Sequence, residues 1–161
     1  MISSHNNAII PSMPVLAINK KALHEYEILH EYEAGIVLSG PEVKSVRGGH
    51  ISLKGSFAVF HGTDLQLLNA HISPYKPASQ QHYSPTRSRA LLLNRKELSQ
   101  LQGKLQQKGL TLVPLRIYTK GIRIKVSIGL ARGRQKHEKR ELIKNRDIKR
   151  TIQHALKRPR P

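Results

Sequence analysis

Cysteine and tryptophan are absent from this 161-residue chain, acids number only 10, and the aromatic side chains are two Phe and five Tyr. Without cysteine there is no disulfide framework, zinc ribbon, iron–sulfur cluster or thiol nucleophile, and the absence fits a reducing compartment. With so little aromatic mass, any core has to be built mainly from Ile, Leu and Val. No apolar run approaches the roughly 20 residues of a membrane span, and the first dozen residues lack the basic start and apolar centre of a secretory signal. A soluble, cytoplasmic protein is expected. The patterns of enzyme chemistry are missing too. The nine histidines are scattered with no i,i+4 pair, no glycine-rich loop is spaced to cradle phosphate, and no Ser-His-Asp order can be argued. No catalytic residue, cofactor or metal site is expected.

Positive charge is what the chain has in excess: 28 Lys and Arg set the net charge at +18. Ala131 to Pro161 holds twelve of these cations against three acids, so half of the net charge lies in the last 31 residues. A run such as Arg132-Gly-Arg-Gln-Lys-His-Glu-Lys-Arg140 cannot bury itself, because desolvating closely spaced like charges costs more than local contacts return. It needs a polyanion, and the cationic body points the same way, so nucleic acid is the expected partner. The length allows one domain with a core plus an arm. The division read here is a flexible leader over 1–17, a body over 18–131 and a basic tail over 132–161.

Within the body, Tyr26, Ile28, Tyr32, Ala34, Ile36 and Leu38 fall on even positions and Glu25, Glu27, Glu31 and Glu33 on odd ones, the period of a half-buried strand bent near Gly35. Ser39 and Glu42 have capping-box spacing with Pro41 between them, opening a short helix that stops at Gly48. Ser56 to Phe60 and Leu65 to Asn69 read as a hairpin across a four-residue loop. Pro74 to Arg89 has the composition of an exposed loop. Asn94 and Glu97 repeat the capping spacing ahead of Leu98, Leu101 and Leu105, the main helix, with Gly109 as its stop. Leu112 to Tyr118 and Ile122 to Ile128 form a second hairpin, with Ile122, Ile124, Val126 and Ile128 toward the core and Arg123, Lys125 and Ser127 away from it. The sum is mainly β with added helices, a small antiparallel barrel or a strongly twisted sheet.

Four ordered motifs carry a resemblance. Asn19-Lys-Lys-Ala-Leu-His-Glu-Tyr26, continued by Tyr32-Glu-Ala-Gly-Ile36 and Gly40-Pro-Glu-Val-Lys-Ser-Val-Arg47, is similar to the opening signature of the small protein B (SmpB) family. Pro85-Thr-Arg-Ser-Arg-Ala-Leu-Leu-Leu-Asn94, Lys125-Val-Ser-Ile-Gly-Leu-Ala131 and Gly133-Arg-Gln-Lys-His-Glu-Lys-Arg140 agree in order and spacing. Three positions depart from the family pattern: Ala90 where a basic residue is usual, Glu138 for Asp, and Phe57 for Tyr. The family is the protein partner of transfer-messenger RNA in bacterial ribosome rescue. The resemblance implies an oligonucleotide-binding-type barrel that clasps the transfer-RNA-like part of transfer-messenger RNA. It also implies a tail that enters the empty messenger channel of a stalled small ribosomal subunit and its ribosomal RNA. Because ordering costs about 1 to 2 kcal/mol per residue and exposed ion pairs return only tenths, that tail is expected to be disordered when free and helical when bound. Alanyl-charged transfer-messenger RNA and elongation factor Tu are further partners it implies, and the protein is expected to be a monomer. A structural, ribosome-associated RNA-binding protein is the alternative.

Matching family positions imply that His24, Glu33, Leu92 and Asn94 face transfer-messenger RNA, although Leu92 read alone would be a core residue. Arg87 and Arg89 flank one serine on extended backbone, so both side chains can emerge on one side to meet phosphate or stack on bases. Lys44, Arg47, Arg123 and Lys125 extend the basic surface. In the tail Gly133 reads as a hinge. Arg134, Lys136, His137, Glu138, Lys139, Arg140 and Lys144 form the expected ribosome-binding run, and the resemblance puts His137 near the decoding centre. From Glu138 onward, Ile148, Ile152 and Leu156 at i,i+4 outline an amphipathic helix, helped by Glu141 with Lys144 and Asp147 with Arg150.

Overall fold

A computed structural model describes residues 13–78 and 82–157, with Lys136, His137, Lys139 and 154–157 described by their backbone alone. In chain order its elements are β1 (Val15–Ile18), α1 (Lys20–Glu25), β2 (Tyr26–Ile36), α2 (Gly40–Arg47), β3 (Ile51–Ser52), β4 (Phe57–His61), β5 (Asp64–Leu68), β6 (His71–Ile72), β7 (Arg89–Leu92), α3 (Arg95–Leu105), β8 (Leu110–Lys120), β9 (Arg123–Gly133) and α4 (Lys136–Lys157).

The spine is the β8–β9 hairpin, made possible by Gly121 at φ +61, a left-handed turn position that favours glycine. β9 then pairs with β2, β2 with β7, β7 with β5, β5 with β4, and β4 returns to β8, every pairing antiparallel, so six strands close into a barrel. Closure removes the free edges that an open sheet of this size would expose. The expectation of a small antiparallel barrel with added helices holds.

Leu65, Leu67, Ile72, Leu101, Leu112, Ile117, Val126 and Ile128 are fully buried inside it, an aliphatic core as the composition required. Each such side chain stabilises the fold by about 1.5–3 kcal/mol through the apolar area it removes from water. A smaller cluster of Ala22, Val113, Leu115 and Ala131, flanked by Tyr26 and Ile28, lies beneath α1. Gly129 is needed there, since a Cβ would come within 3.1 Å of Leu115 and 3.2 Å of Ile28.

Several expectations are corrected. The leader does not run to residue 17: Val15, Ala17 and Ile18 pair with Tyr118, Ile117 and Arg116, so the barrel begins at β1, and residues 1–12 lie outside those described. The segment around His24 is helix, not strand. Asn19 caps it, accepting from the Ala22 N–H at 3.1 Å while donating to the Pro114 carbonyl at 3.0 Å. A bulge between Ile28 and His30 shifts the phase of β2. Its even positions therefore serve two clusters, Tyr26 and Ile28 under α1, Tyr32 and Ala34 in the barrel. The first hairpin turns on Gly62 and Thr63 alone, because His61 and Asp64 pair and shorten the expected loop. Ile122 is not core but sits at the hairpin tip, 84% exposed. Gly133 is the last residue of β9, paired with Tyr26, so the break between body and tail falls at Arg134 and Gln135 rather than between 131 and 132.

Candidate nucleic-acid interface

The face of the barrel that carries most of the expected contacts follows from strand register. Glu33 and Gly35 are two apart on β2 and so share a face, Leu92 of β7 and Lys125 of β9 both pair with Gly35, and Tyr118 of β8 pairs with Lys125. Paired residues point the same way, so Glu33, Leu92, Tyr118 and Lys125 stand on one outward surface, with Arg123 and Lys120 at its hairpin end. Leu92 packs over Gly35, where a Cβ would come within 3.3 Å of the Leu92 Cβ. Leu92 is 60% exposed, not core, and its burial alternation with Leu91 fixes that orientation.

Beside the row lies a hollow of about 480 Å³ floored by Ile36, Leu38, Val43 and Leu92 and rimmed by Arg123 and Lys125. Ile122 overhangs it, held by Arg47, whose Nη2 donates to the Ile122 carbonyl at 2.7 Å. An apolar floor with a cationic rim accepts an unstacked base or ribose below and phosphate above, the arrangement that single-stranded and looped RNA calls for. Lys44, one turn away on α2, lies 5.3 Å over the Tyr75 ring.

Glu33 is the acid in this cationic field. It accepts from the Tyr118 hydroxyl at 2.6 Å and from Lys120 Nζ at 3.0 and 3.2 Å, and Lys125 Nζ lies 3.9 Å away. The Tyr118 hydrogen bond, followed by that from Lys120, holds its carboxyl below the usual carboxylate range. Burial, reinforced by Glu33, pushes the Tyr118 phenol up, so Tyr118 remains a donor. Glu33 thus aims two lysines.

Arg89 departs most from expectation. It does not emerge beside Arg87 but is buried with its whole side chain covered. Glu42, also buried, accepts from Arg89 Nε and Nη2 at 3.0 and 2.8 Å, from Arg87 Nε and Nη2 at 2.9 and 2.5 Å, from Tyr83 at 3.2 Å and from the Ser39 N–H at 2.9 Å. Arg89 spends its other N–H groups on the carbonyls of Ala70, Pro85 and Arg87. Burial pushes the Glu42 carboxyl up, yet hydrogen bonds from Arg87, the Ser39 N–H and Arg89 outweigh it and bring the pKa down to about 2. Arg89 is therefore a strut that fastens the loop before β7 to α2. Arg87 keeps a side chain 39% exposed. In the sequence Glu42 signalled only a cap; the sole hint of more was two arginines in register on a loop that had no nearby acid.

His24 and Asn94 stand apart from the hollow. His24 is half-buried in the last turn of α1, and Asn94 is the exposed cap of α3, its N–H donating to Glu97 at 3.2 Å. In the tail, Arg134 is tied to the body by its N–H to the Glu25 carbonyl at 2.9 Å and its Nε to the Tyr26 carbonyl at 3.1 Å. The Gln135 N–H donates to Glu138 at 3.1 Å and starts α4, whose Arg140 and Lys144 are exposed. The side chains of Lys136, His137 and Lys139 lie outside those described. No ion pair within 4.0 Å among the described residues lies in α4, so the expected Glu141 with Lys144 and Asp147 with Arg150 do not close. Among the described residues no group of three or more His, Asp or Glu is placed to hold a metal, and no helix is long and apolar enough to cross a membrane.

A family model described as SmpB protein matches residues 16–158. The chain belongs to the SmpB family. The SmpB match takes in β1 through α4, so the tail helix is part of the family unit and not an addition to it. An SsrA-binding protein of Sulfurihydrogenibium sp. (strain YO3AOP1) is 52% identical over 146 residues, covering 91% of this chain and 96% of the relative. Another, of Persephonella marina (strain DSM 14350 / EX-H1), is 48% identical over 143 residues, covering 89% and 94%. A chain from a solved structure described as "tmRNA-SmpB: a journey to the center of the bacterial ribosome" superposes with a TM-score of 0.64 at 51% identity, covering 76% of this chain and 86% of that one.

Proposed function

We propose that this SmpB family member is a noncatalytic RNA adaptor. It binds the transfer-RNA-like part of transfer-messenger RNA and delivers it to stalled ribosomes for trans-translation in the bacterial cytoplasm. The observation that carries this is the 52% identity to an SsrA-binding protein over 91% of the chain. The hollow beside Leu92 supports it, because it offers RNA an apolar seat and a basic rim. In this reading the barrel, residues 15–133, reads the folded RNA through Glu33, Leu92, Asn94, Arg123 and Lys125, with Lys44, Arg47 and Arg87 beside them. The tail enters the vacant messenger channel, with His137 at the decoding centre and Arg134, Lys136, Glu138, Lys139, Arg140 and Lys144 along ribosomal RNA. Sequencing the RNA that co-purifies with the protein from its own cells tests this. Transfer-messenger RNA should dominate, and a random sample of cellular RNA would contradict it.

A further inference from the structure

A second concave surface lies between the body and the tail helix, a cleft of about 510 Å³ walled by α1 and α4. Lys20 projects into it from α1, Arg134 from the link, and Arg146, Lys149 and Arg150 from α4, with His24 on the α1 wall. No Asp or Glu is among the residues that line it. Five like charges around one hollow repel one another, and only a polyanion relieves them all together. Where the two helices meet, Leu23, Leu142 and Ile143 give an apolar contact that remains about half exposed, too little to hold a 22-residue helix against the body unaided.

We propose that this cleft seats the phosphodiester backbone of an RNA strand, clamped between α1 and α4, so that one stretch of RNA holds the tail helix against the barrel. The inference rests on the RNA-adaptor reading and adds to it a composite site whose two walls belong to the body and the tail. An acidic peptide would answer the charge as well, but the cleft also presents partly exposed Leu23, Leu142 and Ile143 among its cations, apolar area that suits ribose and base edges between phosphates. His24, remote from the hollow at Leu92, then meets RNA here.

The test uses the full chain and two double variants that each remove two cations. R146Q/K149Q alters the cleft, and K54Q/K108Q removes two exposed cations of the body that do not line it. Binding is followed by fluorescence anisotropy across a salt series, against the transfer-RNA-like fragment in one arm and small ribosomal subunits in the other. The cleft pair should weaken binding about tenfold and lower the slope of log affinity on log salt by roughly 1.5 in at least one arm, while the body pair changes that arm by less than about threefold. The arm affected identifies which RNA supplies the backbone. Lys20→Gln, which leaves the tail untouched, should weaken the same arm, and circular dichroism should show helix content unchanged. Equal losses for the two pairs in both arms, or no loss for the cleft pair, would overturn the proposal. If instead the unaltered protein showed no preference for the transfer-RNA-like fragment over unrelated duplex, the adaptor reading would fail, while the comparison of pairs would still decide the cleft.

Discussion

Glu42 and Arg89 are both fully covered, so removing Glu42 leaves Arg89 charged in the interior without its counter-ion. Glu42→Ala is therefore expected to cost roughly 3 to 5 kcal/mol, read by urea unfolding at neutral pH. The pH dependence has a definite sign. The folded-state pKa of Glu42 is depressed to about 2 from an ordinary value of 4.5, so its stabilisation is complete above about 4.5 and is lost as pH falls toward 2. Unfolding free energy measured between pH 5 and pH 2 should drop in the native protein, and the part due to this group should vanish in Glu42→Gln. Leu92 is the converse. It is 60% exposed, so Leu92→Ala should leave stability within about 0.5 kcal/mol while weakening RNA binding. Residue patterns alone hid this: Arg89 reads as a free cation, and Leu92 reads as core except through the family resemblance. Which of two adjacent leucines faces outward depends on the register of β7 against β2 and β5. Whether an arginine finds an acid 47 positions away depends on the closed barrel.

Local chemistry carries further at the scale of elements. Ser39 with Glu42, and Asn94 with Glu97, announce α2 and α3 because a capping box is a contact within four residues. The two hairpins are legible from alternation around Gly62 and Gly121. Six-residue α1 is too short to show a period, and the bulge at β2 breaks the even-position rule without changing a single residue type, so both stayed hidden. The tail helix was legible from Ile148 and Ile152, yet in the structure these remain 56% and 52% exposed. Ordering each residue costs about 1 to 2 kcal/mol, far more than such contacts return. In free protein α4 should therefore exchange its amide hydrogens rapidly, and RNA should protect them. Slow exchange in the absence of RNA would show that packing on α1 alone suffices.

For the whole molecule, the barrel core draws on no described residue of α4, so the body should fold without the tail. A chain ending at Gln135 is expected to keep the unfolding transition of the body and most of its RNA affinity, and to lose ribosome rescue. With a net charge of +18 spread over both parts, contacts to roughly six to ten phosphates are expected. Affinity should then fall roughly 10³- to 10⁵-fold between 50 and 200 mM salt. Charge alone would bind any RNA, so the proposed function assigns selectivity to the shaped surface around Glu33, Leu92 and Lys125. Competition binding at one fixed salt concentration tests that most directly, with the labelled transfer-RNA-like fragment displaced either by itself or by unrelated duplex RNA of equal length. The unrelated duplex should need at least about tenfold higher concentration to compete, a gap of about 1.4 kcal/mol; equal displacement by the two RNAs would contradict the account.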